Sequence, residues 1–311
     1  MMATGIVYKS TGSWYSVKDA DGRFWNARMK GVFKLDDITS TNPIAVGDII
    51  DFETENEGES SVMITRIHDR RNYINRQSPR MKHQRHIVAS NIDQSLLIAT
   101  IKEPRTSQGF IDRFLVACEM YHVKAVVVFN KFDVYKPKDI EQFETLKEMY
   151  EGIGYKVMPI SVKDKTGLED IQEVLKDKIT LISGHSGVGK SSFINTVIPD
   201  SKIKTKGVSG WSGKGQHTTT FAEMYDLPYG GQIIDTPGMR EFGLVDIEKP
   251  ELSGYFPEMR ERLNDCQFNN CLHINEPDCA IKQAVIDGII TEDRYVSYYN
   301  ILESIEEQNW K

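Results

Sequence analysis

The chain has 311 residues, enough for about two or three domains. Hydrophobic residues at 40% and charged residues at 27% form a globular balance that excludes collagen-like, coiled-coil and wholly disordered classes. A formal charge of -7 argues mildly against a nucleic-acid partner, but a net charge does not locate the charges. The first residues, Met1-Met2-Ala3-Thr4-Gly5, show no charged region followed by an apolar run, and the longest apolar stretch, residues 125–129, is far shorter than the ~20 residues of a membrane span. A cytoplasmic protein with no membrane partner is expected.

Residues 1–68 contain short runs that alternate apolar with polar: Gly5-Ile6-Val7-Tyr8, Ser13-Trp14-Tyr15-Ser16-Val17, Arg23-Phe24-Trp25-Asn26-Ala27-Arg28 and Asp48-Ile49-Ile50-Asp51-Phe52. About five strands in this length predict a small closed barrel, an OB-fold first and an SH3-like barrel as the alternative. Residues 69–91 read as a basic linker. Arg66, Arg70, Arg71, Arg76, Arg80, Lys82 and Arg85 face the single acid Asp69, and Pro79 with no periodicity predicts a loop. It is either a solvated tether or an RNA-contacting strip beside the barrel.

Residues 92–245 alternate strands with helices. Ser95-Leu96-Leu97-Ile98-Ala99 and Ala125-Val126-Val127-Val128-Phe129 are unbroken apolar runs, as parallel strands buried on both faces require. Phe110, Phe114, Ala117, Cys118 and Tyr121 recur between them at helical spacing, so Cys118 reads as an inert core thiol. The β-α-β-α-β order predicts a doubly wound α/β domain. Beyond residue 246 the strand signals stop. Residues 250–263, 280–287 and 292–308 read as helices around a cysteine segment, a helical domain over 246–311.

The strongest motif is Gly184-His185-Ser186-Gly187-Val188-Gly189-Lys190-Ser191, which fits G-x-x-x-x-G-K-[ST] between an apolar strand and the helical Ser192-Phe193-Ile194-Asn195. Its glycines let backbone N–H groups turn in around phosphate oxygens at a helix N-terminus. Lys190 would neutralise β- and γ-phosphates, and the Ser191 hydroxyl would bind Mg²⁺. Asp235-Thr236-Pro237-Gly238 follows the strand-like Gln232-Ile233-Ile234. Asp235 suits a water-mediated Mg²⁺ contact, and the Gly238 amide would sense the γ-phosphate.

Asn130-Lys131-Phe132-Asp133 lies at the end of an apolar strand. The Asp133 carboxylate would accept from N1–H and the exocyclic amine of guanine, which adenine cannot offer in that geometry. Asn130 would hold the loop, and the Lys131 stem would pack along the base plane. Ser161-Val162-Lys163 fits a last base-contacting loop. In an ordinary GTPase the phosphate loop comes first, whereas here the guanine-reading segments precede it, so the order predicts a circular permutation. Residues 202–220, lysine-rich and without an acid, include Gly215-Gln216-His217-Thr218-Thr219-Thr220 and read as a switch in which a Thr coordinates Mg²⁺. Met239 stands where a water-orienting Gln is usual, and His217 is the nearest substitute in sequence.

Cys266, Cys271, His273 and Cys279 supply three thiolates and one imidazole, a closed soft donor set that favours one structural Zn²⁺.

With the permuted order and the Cys/His segment together, the chain resembles, over essentially its whole length, the bacterial small-subunit-dependent GTPases of the RsgA/YloQ type. The resemblance implies an N-terminal OB-fold that contacts 16S rRNA and a zinc domain that docks on the 30S subunit. It also implies GTP hydrolysis that is slow alone and stimulated by that subunit, coupled to late maturation and release. It assigns His217 as the catalytic residue and Thr219 as the Mg²⁺-linked threonine, and it accounts for the apolar Met239. Val162 departs from the Ser-Ala-Lys common in the family, at a place where backbone atoms contact the base. The chain is expected to be a monomer that exchanges GTP and GDP. The alternative is a nucleotide-gated rRNA-binding module in which hydrolysis is incidental.

Overall fold

Alternation of apolar and polar residues closes the N-terminal strands on themselves. In the computed structural model, which describes residues 2–29, 43–54, 61–77, 85–199, 222–236, 244 and 247–309, these are β1 (Met2–Ser10), β2 (Tyr15–Asp19), β3 (Phe24–Met29), β4 (Ile49–Thr54) and β5 (Ser61–Ile67). They pair in the circuit β1-β2-β3-β5-β4-β1, with β3 and β5 parallel and the other pairs antiparallel. That circuit is the OB arrangement and removes the SH3-like alternative. Val7, Val17, Ala27, Ile50, Phe52, Val62 and Ile64 fill the barrel.

The segment expected to be a basic loop is built differently. β6 (Tyr73–Gln77) and β7 (Arg85–Ser90) form an antiparallel ribbon, bolted to the barrel through Asp48. That fully buried carboxylate accepts from Arg70 Nε (2.7 Å) and Nη2 (2.6 Å), the Ser90 hydroxyl (2.6 Å) and the Ala45 amide (2.8 Å). Arg71 donates to Asp93 (2.7 Å) and to the Asn91 carbonyl (3.0 Å). Among the described bases counted for RNA contact, Arg70 is therefore committed to a buried carboxylate that must be compensated, and Arg71 is ion-paired more loosely with the partly exposed Asp93. Arg80 and Lys82 lie outside the described residues.

The second unit consists of β8 (Gln94–Ala99), α1 (Gln108–Met120), β9 (Lys124–Phe129), α2 (Pro137–Gly152), β10 (Lys156–Pro159), α3 (Leu168–Leu175), β11 (Ile179–Ser183), α4 (Lys190–Val197), β12 (Glu223–Asp226) and β13 (Gln232–Asp235). Its strands lie in the order β10-β9-β8-β11-β13-β12, all parallel except β12. The unbroken apolar runs divide by parity, as side chains of a strand must. Leu97, Ala99, Val127 and Phe129 face α1 and α2, while Leu96, Ile98, Val126 and Val128 join the core under α3 and α4. Cys118 is buried in the first of these cores, and burial holds its thiol far above the ordinary range. At the far edge β12 meets β1 at Glu223 and Lys9, beyond a bulge between Val7 and Lys9, so barrel and sheet form one continuous ladder.

The helix expected over residues 250–263 is broken into a 3₁₀ turn (Lys249–Tyr255), α5 (Pro257–Arg260) and a second 3₁₀ turn (Leu263–Asp265). Pro257 lacks an N–H and its ring excludes the preceding helical carbonyl, so no helix can run through it. α6 (Ala280–Ile286) and α7 (Glu292–Asn309) follow. This C-terminal region shares one core with α1 and α2, where Phe256 meets Tyr298 edge-on at 5.5 Å. At that junction Arg294, 1% exposed, donates to Glu258 (2.7 and 3.2 Å) and Asp112 (2.6 Å), while the Tyr150 hydroxyl donates to Asp112 (2.8 Å). The guanidinium also lies 4.6 Å from the Phe256 ring centroid. Burial raises the Asp112 pKa and the arginine charge opposes that rise.

Removing Arg294 strands two buried carboxylates, so Arg294→Ala is expected to lower stability by roughly 3–5 kcal/mol. Urea unfolding followed by tryptophan fluorescence and circular dichroism measures it. A loss below ~1 kcal/mol would mean that the cluster is not a structural joint.

Candidate nucleotide site

Phosphate-loop and base-reading motifs converge at the carboxyl ends of β11, β8, β9 and β10, the edge at which open parallel sheets bind ligands. Gly184–Gly189 leaves β11 and enters α4, with Ser191 and Ser192 in the helix's first turn. Gly184 (φ +137°) and Gly189 (φ +102°) admit no side chain. A Cβ would lie 2.4 Å from the Ile98 carbonyl oxygen at the first and 2.4 Å from Asn130 Nδ2 at the second. The Lys190 ammonium donates to the carbonyls of Gly184 and His185 (2.9 Å to the latter), which holds it over the loop. Burial lowers the Lys190 pKa and burial raises that of Asp235, each partly offset by the other's charge. Asp235 ends β13 on the strand beside β11 and is buried.

Asn130 is the hinge of the base-reading half. Its Nδ2 donates to the Val188 carbonyl (2.9 Å) and its Oδ1 accepts from the Val162 amide (3.2 Å), so one side chain joins the phosphate loop to both base-reading segments. The Asp133 carboxylate accepts from the Ser161 hydroxyl (2.8 Å) and lies 3.5 Å from Lys163 Nζ. Lys131 takes a left-handed backbone (φ 66°) and donates to the Glu103 carbonyl. The Tyr135 hydroxyl accepts from the Ile101 amide (2.8 Å) and donates to the Asn130 carbonyl (2.8 Å). Tyr135 belongs to no motif, and its only signal in the sequence is a position five residues beyond Asn130. His217, Thr219 and Gly238 lie outside the described residues, as do Pro237, Met239 and the lysine-rich loop.

The second cluster gathers Cys266, Cys271, His273 and Cys279, with all ligand atoms within 4.8 Å of one another. Cys266 Sγ lies 4.0 Å from Cys279 Sγ and 3.6 Å from His273 Nδ1, which is 3.3 Å from Cys279 Sγ. A tetrahedron with Zn–S bonds of about 2.3 Å has edges of about 3.8 Å, so the spacing and the donor set fit one zinc ion. The loop is held by neighbours that the sequence did not announce. Glu276 accepts from the amides of Leu272 (2.8 Å) and Ile274 (2.9 Å), and the hydroxyls of Tyr295 and Tyr298 donate to the carbonyls of His273 (2.6 Å) and Leu272 (2.9 Å). Burial pushes the Cys271 thiol up, so a thiolate there would call for a bound cation.

A phosphate loop on the central strand of a parallel sheet, with an N-K-x-D segment beside it and earlier in the chain, defines a circularly permuted P-loop GTPase joined to an OB barrel. The chain belongs to the RsgA family of GTPases. Residues 67–245 match the RsgA GTPase family and residues 4–62 match the RsgA N-terminal domain. It is 50% identical over 305 residues to a Flavobacterium psychrophilum protein called small ribosomal subunit biogenesis GTPase RsgA, covering 98% of this chain and 94% of that one. It is 46% identical over 307 residues to RsgA 2 of Bacteroides thetaiotaomicron, covering 99% and 98%. The crystal structure of YjeQ from Thermotoga maritima matches with a TM-score of 0.80 at 32% identity, covering 98% of each chain. That of YloQ, described as a circularly permuted GTPase, matches at 0.76 and 30%, covering 99% and 96%. Among the described residues, no helix is long and apolar enough to cross a membrane.

Purified protein is expected to carry about one zinc per chain by elemental analysis. Cys279→Ser should lose most of it and lower the thermal midpoint by at least about 5 °C. Full stability in a metal-free wild-type preparation would show that no ion is required.

Proposed function

We propose that this GTPase matures the small ribosomal subunit: it binds the 30S particle through 16S rRNA while carrying GTP and leaves it as a cytoplasmic monomer after hydrolysis. The observation that carries this reading is the assembled site in a chain about half identical, over its full length, to proteins named for small-subunit biogenesis. RNA contact draws support from the outward side of the barrel, where Trp14 and Phe24 are exposed and Arg28 lies 6.0 Å from the Trp14 ring. Aromatic and guanidinium planes of this kind stack on unpaired bases. The zinc-holding C-terminal region supplies the second docking surface.

In this reading Asp133 accepts from guanine N1–H and its amine, with Asn130 and the residues 161–163 fixing the loop around the base. The amides of residues 184–191, at the positive end of α4, wrap the phosphates. Lys190 turns from its two carbonyls to the β- and γ-phosphate oxygens. Ser191 and Thr219, with Asp235 through water, would hold Mg²⁺, which supplies charge neutralisation when bound. Water adds to the γ-phosphorus, the bond to the bridging oxygen breaks, and GDP and phosphate leave. His217 orients that water, a task beyond the apolar Met239. Turnover is therefore slow until the particle positions the His217 loop, and the Gly238 amide reports whether the γ-phosphate is present.

GTPase rates with 30S, with 50S and with no ribosome test the coupling. At least about tenfold stimulation by 30S alone is expected, equivalent to ~1.4 kcal/mol of barrier. Equal rates would sink it. His217→Ala should cost about 10²-fold in the stimulated reaction; unchanged turnover would favour an RNA-binding module with incidental hydrolysis. Asp133→Asn reverses one hydrogen-bond polarity and should weaken GTP binding by at least ~10²-fold while improving xanthosine triphosphate relative to GTP. Competition against a fluorescent guanine nucleotide measures both changes.

A further inference from the structure

We propose that residues 100–106, the turn leaving the carboxyl end of β8, strap the phosphate loop to the guanine-reading loop, with Thr106 and His185 as its positioning residues. The inference rests on the reading that residues 130–133 and 184–191 hold one guanine nucleotide. The turn is closed on itself. The Thr106 amide donates to the Thr100 carbonyl (2.8 Å), the Thr100 amide donates to Thr106 Oγ1 (3.0 Å), and the Thr100 hydroxyl donates to the Pro104 carbonyl. Both threonines are buried.

One side of this turn grips the phosphate loop. Thr106 Oγ1 lies 2.7 Å from His185 Nε2, and a Cβ placed at Gly187 would stand 3.3 Å from the Pro104 ring. The other side grips the base-reading loop. Lys131 donates to the Glu103 carbonyl, and the Ile101 amide donates to Tyr135, which in turn donates to the Asn130 carbonyl.

The hydrogen bonds also fix the form of His185. Its Nδ1 lies 3.2 Å from the Ser186 carbonyl, which can only accept, so the proton sits on Nδ1. Nε2 then accepts from the Thr106 hydroxyl, whose oxygen is left to accept from Thr100. Burial first, and then the charges of Lys190 and Lys131, hold the imidazole below its usual pKa, in keeping with a neutral ring. The Phe110 ring meets it edge-on at 5.5 Å. A nucleotide is one ligand bound at two ends, so an error in the relative placement of the two loops weakens its binding as a whole.

Thr106→Val keeps the side-chain volume and removes the hydroxyl. The Kd for N-methylanthraniloyl-GDP and the KM for GTP are expected to rise about tenfold, ~1.4 kcal/mol. Turnover at saturating GTP should stay within about twofold, because the strap touches no reacting atom. His185→Ala should raise the same Kd about tenfold, the double variant should bind no worse than either single one, and Thr106→Ser should bind within about twofold of wild type. His185→Ala, on the loop's own surface, carries the test if Thr106→Val fails to fold. Three results would overturn the strap: wild-type Kd and KM in the single variants, losses that multiply in the double variant, or a lowered thermal midpoint with unchanged KM. Absence of guanine-nucleotide binding by the wild-type chain would overturn the site reading together with the strap. Normal wild-type binding with unaffected variants would overturn the strap alone.

Discussion

The candidate nucleotide site is held together at the Asn130 side chain. An amide offers donors on one side and acceptors on the other, and here both find loops: the Val188 carbonyl on the phosphate loop and the Val162 amide on the last base-reading loop. Its own backbone is equally committed, the amide to the Ala99 carbonyl (2.9 Å) and the carbonyl to the Tyr135 hydroxyl. Asn130 is only 3% exposed, so an unmatched polar atom there would cost about 1–3 kcal/mol. Gly189 leaves room for the amide to approach, and no residue with a Cβ could take its place. Asp, Leu or Gln would each break at least one of these bonds, which is why a short carboxamide stands at the head of the N-K-x-D segment.

Around that centre the three regions are joined by charge buried at their seams. Asp48 with Arg70 and Ser90 fastens the ribbon to the barrel, and Arg294 with Asp112 and Glu258 fastens the C-terminal region to α1 and α2. The third seam is a strand pairing. Lys9 bridges to Glu223 at 3.1 Å, and Tyr8 and Lys18 both donate to Asp226, at 2.7 and 2.6 Å. β12, to which these partners belong, follows the lysine-rich loop directly in the chain, while β13 ends in Asp235. The barrel therefore grips the strand that the proposed switch loop feeds, and displacement of β12 would be transmitted through backbone hydrogen bonds and three side chains.

Much of this was legible in the sequence because the responsible signals are local. Phosphate loops need glycines at fixed spacing, a strand before and a helix after, and all of these lie within about a dozen residues of Gly184. The parallel strands showed as unbroken apolar runs, and Cys118 fell on the buried face that its spacing indicated. The Cys/His set was equally plain, since soft donors rarely gather in a polar loop except around a metal. The misreadings concern distant partners. Nothing near Arg70 reveals that Asp48 awaits it, nor does anything near Asp112 reveal Arg294, 182 positions later. Ribbon β6–β7 was hidden because its strands carry charged residues where a buried strand would be apolar. Thr106 and Tyr135 were hidden for a related reason: they act through other residues and lie in no motif.

The total charge of -7 is the quantity that the structure most revises in meaning. A count of bases measures what the chain contains, whereas phosphate responds to the cations left uncompensated at the surface. Arg70 is only 11% exposed and bidentate on a buried carboxylate, so moving it to phosphate would uncover Asp48 and cost more than an exposed contact returns. Arg71, 60% exposed beside Asp93, is held far more weakly, since an exposed pair contributes about 0–1 kcal/mol. Arg23 and Arg28 differ again. Each lies near a tryptophan ring, and a guanidinium set against an aromatic plane extends the stacking surface while keeping its charge at the face. Burial, more than number, decides which arginines of this acidic chain are left to meet a polyanion: it withdraws Arg70 from the strip that the sequence put forward and leaves Arg71 at the surface.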